Sequence, residues 1–217
     1  MKVVVLGASG AVGRLLVQQA AAQGHQVVAV ARGAVDVGDL KDRVVVEKGS
    51  PTDVAFLSRV IAGADVVFSG LGLRLKGLAP WNTPEVPDFL DKSTAAIVTA
   101  MKTVGVRRAV VVSSSGIGDS VDQLPGFFKV FIKVTAMRHV WPALNRMEEA
   151  WAKSGLDVTF VRPTGLTDGP ATGRIKEAPK LVGQAQIARA DVAAFMLQEA
   201  VRPDLRRAVV ITTTGAG

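Results

Sequence analysis

Val3-Val4-Val5-Leu6-Gly7-Ala8-Ser9-Gly10-Ala11-Val12-Gly13-Arg14 is the stretch that decides how the rest of the chain is read. An apolar, β-branched run leads into a glycine-rich turn. Leu15, Leu16, Gln19 and Ala20 then carry a helical period to about Gln23, and Gly24 is a natural stop. Strand, glycine turn and helix in that order form the first unit of a dinucleotide-binding parallel sheet. Each glycine answers a physical need: Gly7 permits the tight turn, Gly10 lets backbone approach a pyrophosphate, and Gly13 lets the helix pack closely on the sheet. The amides around Ser9, Ala11 and Val12, at a helix N-terminus carrying partial positive charge, suit phosphate oxygens.

The next strand sharpens the expectation. Gln26–Ala31 (QVVAVA) ends at Arg32-Gly33, roughly 20 residues past the glycine turn, where an NAD-specific protein places a carboxylate on the ribose hydroxyl. Here the position is basic. A carboxylate repels a 2′-phosphate, whereas a guanidinium forks onto one. Arg32 therefore predicts NADP(H) as the cofactor. Arg14 either supplies a second cation or is solvated at the surface. Asp36 and Asp39 lie too far along the chain to be the ribose acid.

Composition sets bounds. The chain has 217 residues, 48% of them hydrophobic, and a mean hydropathy of +0.30, which suits one well-buried α/β domain. It contains no cysteine and two histidines, His25 and His139, so disulfides and thiolate chemistry are excluded and no metal site is expected. The first residues read as a strand, without a signal-peptide layout, and no apolar run approaches the length of a membrane span. A cytoplasmic protein with no membrane partner is expected. The net charge of +7 raises nucleic acid as a partner, yet Lys and Arg are scattered, and an anionic cofactor with an anionic substrate accounts for the charge. No nucleic-acid partner is expected.

Along the remaining chain, strands and helices alternate. Val44–Val46 is a third strand. Ser50 or Thr52 can cap the following helix, which runs to about Val60 with Pro51 in its first turn. Ser50 also stands where adenine contact is expected. A fourth strand, 64–68, runs into Ser69-Gly70-Leu71-Gly72, a carboxyl-end loop over the cofactor. Residues 73–86, with Pro80 and Pro84 and no apolar period, read as a loop, either an ordinary connection or a rim near the site. A helix over 88–104 should bury Phe89, Ala96, Ile97, Ala100 and Met101. Residues 107–112 form a fifth strand delivering Ser113, Ser114 and Ser115, hydroxyls placed either near a nicotinamide or as turn caps. Segment 125–139 joins Phe127, Phe128, Phe131 and Ile132 to Lys129, Lys133 and Arg138. It either packs on the domain or walls a pocket for a flat, anionic substrate. A helix follows with Pro142 in its first turn and Gly155 as its stop. Strand 157–162 ends in Pro163-Thr164-Gly165, placing Pro163 and Thr164 beside the cofactor. Short strands are expected around 174–176 and 184–187, then a helix capped by Asp191 and a last strand at 208–212. With no linker or repeat, residues 1–217 read as a single Rossmann-type domain: a doubly wound parallel sheet flanked by helices, with small C-terminal substrate-side additions.

Several segments together resemble the atypical short-chain dehydrogenases/reductases. These are the G-x-x-G-x-x-G turn, Val110-Val111-Val112-Ser113-Ser114-Ser115, the run 154–163 (SGLDVTFVRP) and 187–193 (IARADVA). Within that group the chain is most similar to the flavin reductases, also called biliverdin IXβ reductases. The resemblance implies an NADPH contact at Arg32 and a nicotinamide-side serine at Ser115, the candidate catalytic residue. It departs at Gly165, which stands where those enzymes carry a pocket histidine. The chain also has no tyrosine, so the Tyr-x-x-x-Lys acid pair of ordinary short-chain dehydrogenases is absent. A flavin or quinone accepts hydride and takes its proton from water, whereas an isolated ketone gains about 10²–10⁴-fold from a positioned acid. The expected partner is thus a planar, anionic or apolar small-molecule acceptor, and the expected assembly a monomer or weak oligomer. A non-catalytic NADP(H)-sensing regulatory protein of the NmrA type is the other reading the missing acid leaves open.

Overall fold

The computed structural model describes residues 1–178, 185–202 and 207–213. In chain order the elements are β1 (Lys2–Leu6), α1 (Ala11–Ala22), β2 (Gln26–Ala31), β3 (Val44–Lys48), α2 (Val54–Ile61), β4 (Val66–Ser69), α3 (Phe89–Val104) and β5 (Arg108–Val112). Then follow α4 (Gly126–Val134), α5 (Met137–Ala152), β6 (Asp157–Pro163), β7 (Gly165–Thr167), β8 (Ile175–Glu177), β9 (Gln186–Ala188), α6 (Arg189–Ala200) and β10 (Arg207–Thr213). One sheet has the order β3-β2-β1-β4-β5-β6-β10-β8, parallel throughout except for the antiparallel edge strand β8. This is the doubly wound order, in which the chain reverses direction between β1 and β4. β7 and β9 form a small parallel pair beyond the main sheet.

Helices cover both faces, which is why the central strands are continuous apolar runs rather than alternating ones. Leu16, Val17 and Ala20 of α1 and Val192, Phe195 and Met196 of α6 bury one face with Val3, Val5 and Phe68. Leu57 and Ile61 of α2, Ile97 and Met101 of α3, and Met147 and Trp151 of α5 bury the other with Val4, Leu6 and Val111. Among the described residues no helix is long and apolar enough to cross a membrane.

Several local expectations are corrected. Helix α2 is capped by Asp53, whose carboxylate accepts the Phe56 amide at 3.0 Å, and not by Ser50 or Thr52, whose hydroxyls bond each other at 2.8 Å. Pro142 lies inside α5 rather than in its first turn. The preceding turn is held by tertiary contacts: Val140 and Trp141 pack against the core, and the Trp141 indole N–H donates to the Gly116 carbonyl at 3.1 Å. These contacts override the helix-breaking tendency of proline. Asp191 does not cap α6. Its fully buried carboxylate accepts the amides of Thr172 and Gly173 (2.8 and 2.9 Å) and the Thr172 hydroxyl (2.7 Å), tying the loop before β8 to the helix. Residue 184, expected in a short strand, lies outside the described residues; the strand there begins at Gln186.

Candidate functional site

The crevice opens at the carboxyl ends of β1 and β4, where the strand order reverses. Gly7 has φ +82°, in the left-handed region that favours glycine. The amides of Gly7 and Ala8 both donate to the Val30 carbonyl at 3.1 Å, pulling the turn onto β2. A Cβ on Gly7 would sit 3.1 Å from the Gly70 backbone, and one on Gly13 would run into the Gly7 carbonyl. The three glycines therefore bring helix, turn and β4 loop closer than any side chain permits.

Helix α1 begins at Ala11 after Gly10, which offers no capping side chain, and its first turn holds no acid. The first amides of a helix have no partner within it. In α2 a carboxylate fills that role; in α1 the amides of Ala11, Val12 and Gly13 face the crevice end without one. That end is built for a phosphate or another anion.

Gly7, Ser9, Gly10, Arg32, Gly70, Leu71 and Gly72 line one crevice together. Arg32 is exposed at the end of β2, with its guanidinium 5.7 Å from the centre of the Phe89 ring, a cation–π distance. Arg74, Glu85 and Phe89 join the same walls. Among the described residues, neither Arg32 nor Arg74 pairs with a carboxylate, so both guanidiniums are free for an anion. Arg14 is exposed and does not line the crevice; the second cation there is Arg74. Sequence reasoning missed Arg74 and Glu85 because both sit in an aperiodic loop. The signal was positional, since that loop follows the carboxyl end of β4. Phe89, expected in the core, is half-buried and walls the crevice instead. Ser50 is exposed and is not itself a wall, although its neighbours Gly49 and Pro51 are.

The remaining predicted residues gather at the ends of β5 and β6. Ser113 is buried and its amide donates to the Val161 carbonyl at 2.8 Å. Its hydroxyl has no hydrogen-bond partner, which is unusual for a buried polar group. Pro163 is buried and its carbonyl accepts the Ser115 amide at 3.0 Å. Ser115 and Thr164 form the floor of a second cavity of about 320 Å³, walled by Leu124, Pro125, Phe127, Phe128 and Phe131. Thr164 shares a hydrogen bond with Thr212 at 3.2 Å. Gly165 and Gln186 complete the cavity, and none of its lining residues carries an ionisable side chain.

These residues fit a nicotinamide dinucleotide: an uncapped helix end, a glycine cradle, two free guanidiniums and an orphaned buried hydroxyl. Residues 7–203 match the family described as NAD(P)H-binding. Among curated proteins, the UPF0659 protein YMR090W of Saccharomyces cerevisiae is 28% identical over 215 residues, covering 94% of this chain and 88% of that one. Among solved structures, ChuY, an anaerobillin reductase from Escherichia coli O157:H7, superposes with a TM-score of 0.79 at 24% identity, covering 100% of this chain and 99% of that one. A short-chain dehydrogenase/reductase from Veillonella parvula, solved with NADP, gives 0.78 at 20% identity over 99% and 95% of the two chains. The chain belongs to the NAD(P)H-binding family.

Proposed function

We propose that this chain is an NADPH-dependent oxidoreductase that transfers hydride to a flavin, a quinone or a similar planar conjugated acceptor. The observation that carries the reading is the second cavity. It is aromatic, large enough for a flat ring system, adjacent to the serines at the end of β5, and lined by no acid or base. A volume of about 320 Å³ falls within the range of roughly 300–1,000 Å³ typical of small-molecule sites.

NADPH supplies two electrons and a hydrogen as hydride; the acceptor gains a proton besides, and NADP⁺ leaves. Every other contribution is the chain's own. Gly7, Ser9, Gly10 and the first amides of α1 would hold the pyrophosphate, and Arg32 with Arg74 would hold the 2′-phosphate. Ser113 and Ser115, at the end of β5, would face the nicotinamide, and the unpartnered Ser113 hydroxyl could bond its carboxamide. Phe127, Phe128 and Phe131 stack the acceptor and exclude water from its faces, so that positioning supplies the rate. A flavin or quinone draws its proton from water at the cavity mouth, so no tyrosine is required. The structural neighbour ChuY is an anaerobillin reductase, which agrees with a conjugated acceptor; Gly165 in place of a pocket histidine separates this chain from biliverdin-type reduction.

Ser115→Ala is expected to keep kcat within about tenfold of the parent, because positioning by one hydroxyl is worth less than general acid catalysis at about 10²–10⁴-fold. Steady-state NADPH oxidation with FMN or a soluble quinone measures it. A loss of about a thousandfold would make Ser115 the proton donor and replace the water-protonation step.

A further inference from the structure

Among the described residues, α4 alone of the α-helices buries no side chain. Its two sides differ. Phe128 and Phe131 stack at 5.5 Å, Phe128 meets Trp141 at 6.1 Å, and both line the acceptor cavity. On the outer side Val130 and Val134 are 58% and 56% exposed; Phe127, 60% exposed and also a cavity wall, continues them to the cavity mouth, and at spacings of three and four residues the three form one stripe. The Ala136 amide donates to the Leu78 carbonyl at 3.1 Å, which brings Leu78, 50% exposed, to the end of that stripe. At about 100° per residue, Lys133 borders the stripe and Lys129 follows it. From 125 to 147 the chain carries Lys129, Lys133, Arg138 and Arg146, and no Asp or Glu. Arg146 pairs with Asp91; the other three have no carboxylate partner among the described residues.

We propose that this face of α4 docks on an anionic lipid surface. Apolar side chains bordered by lysines on a short helix suit the headgroup boundary, where the stripe partitions inward and the cations meet lipid phosphates and carboxylates. A second copy of the chain complements the face poorly: isologous pairing would set Lys129 and Lys133 against their own equivalents. The expectation of no membrane partner rested on the lack of a spanning apolar run, and the structure adds an uncovered apolar stripe backed by the cavity wall. Docking would turn the cavity mouth toward the bilayer and favour a lipid-soluble acceptor such as a tailed quinone. That last clause rests on the reductase reading above; the docking itself does not.

Cosedimentation of the full chain with vesicles of phosphatidylcholine, with and without phosphatidylserine, tests the proposal in the absence of cofactor and acceptor. Binding is expected only with phosphatidylserine and is expected to fall as salt rises. Lys129→Gln and Lys133→Gln should each weaken it about fivefold. Val130→Ser/Val134→Ser should reduce it while NADPH affinity, read separately, stays unchanged and reports an intact fold. Absence of binding to either vesicle, or binding that ignores both sets of variants, overturns the proposal. So does a concentration-dependent dimer that Val130→Ser/Val134→Ser dissociates, because the occupant would then be a second copy. Reduction of a water-soluble acceptor without vesicles tests the reductase reading independently, so either can fail alone.

Discussion

Arg32→Glu is expected to weaken NADPH binding about 100-fold, since a charged hydrogen-bonding group contributes roughly 1.5–3 kcal/mol and reversal adds repulsion. NADH binding should change by less than about threefold, because its ribose hydroxyl can bond a carboxylate. Calorimetric titration with both cofactors gives the ratio. The expectation follows from geometry. Arg32 stands at the carboxyl end of β2, over the Phe89 ring, in the same crevice as the glycine turn. Its nearest cationic neighbour on those walls is Arg74, so Arg74→Ala should act in the same direction and more weakly. Equal losses for NADPH and NADH in Arg32→Glu would mean that Arg32 supports the crevice rather than reading the phosphate.

The largest loss of stability is expected from Glu148→Ala. Arg162 lies at the end of β6 with its side chain 6% exposed, and Glu148 on α5 is 8% exposed. Two hydrogen bonds join them, Nε to Oε1 at 3.1 Å and Nη2 to Oε2 at 2.6 Å, and the exposed Asp119 is the second partner of the guanidinium. Burial alone would lower the Arg162 pKa, but the hydrogen bonds it donates to both carboxylates, with their negative charge, outweigh that, so the group is held charged. Removing Glu148 leaves a buried cation with one solvent-facing partner, at a cost of about 3–5 kcal/mol. Chemical denaturation should record that loss, and the melting temperature should fall by roughly 10 °C. A change below about 1 kcal/mol would show that the site relaxes to admit water.

The same pair reaches the function. Asp119 belongs to the 3-10 turn Gly118–Gln123, which delivers Leu124 to the cavity wall. Glu148→Ala should therefore also raise the acceptor KM. The Asp119 carboxyl is held below its ordinary range, chiefly by its hydrogen bond to Arg162. Its contribution to stability is accordingly present above the ordinary carboxylate pKa and lost as the pH falls through the lowered one.

How far the sequence could be read varies with the kind of signal. The turn at Gly7–Gly13 and the position of Arg32 were legible because glycine and charge have local consequences: a left-handed φ, an uncapped helix and an exposed guanidinium on the crevice wall. The parallel strands were legible as apolar runs bounded by glycines. Helix starts were less so. Pro142 reads as a first-turn residue, and only the packing of Val140 and Trp141 shows why the helix begins earlier at Met137. Asp191 reads as a cap, yet its carboxylate spans to Thr172, a contact across 19 positions that no local pattern encodes. Arg74 escaped for the same reason: the loop 73–86 has no period, and its place on the crevice wall depends on β4 lying beside β1; Phe89, read as core from the helical period, is the first residue of α3 and faces that same crevice. The outer face of α4 was visible as an amphipathic segment, but whether the domain covers it is a tertiary fact.

One measurement addresses the central claim, that the chain reduces a conjugated acceptor with NADPH and without a protein acid. Purified protein with saturating NADPH is mixed in turn with FMN, FAD, a soluble quinone and biliverdin, and loss of the reduced-nicotinamide absorbance is followed. Catalytic turnover with a flavin or quinone, faster with NADPH than with NADH, is the predicted result. Tight NADPH binding with no turnover on any acceptor would contradict it and identify an NADP(H)-sensing protein built on the same crevice.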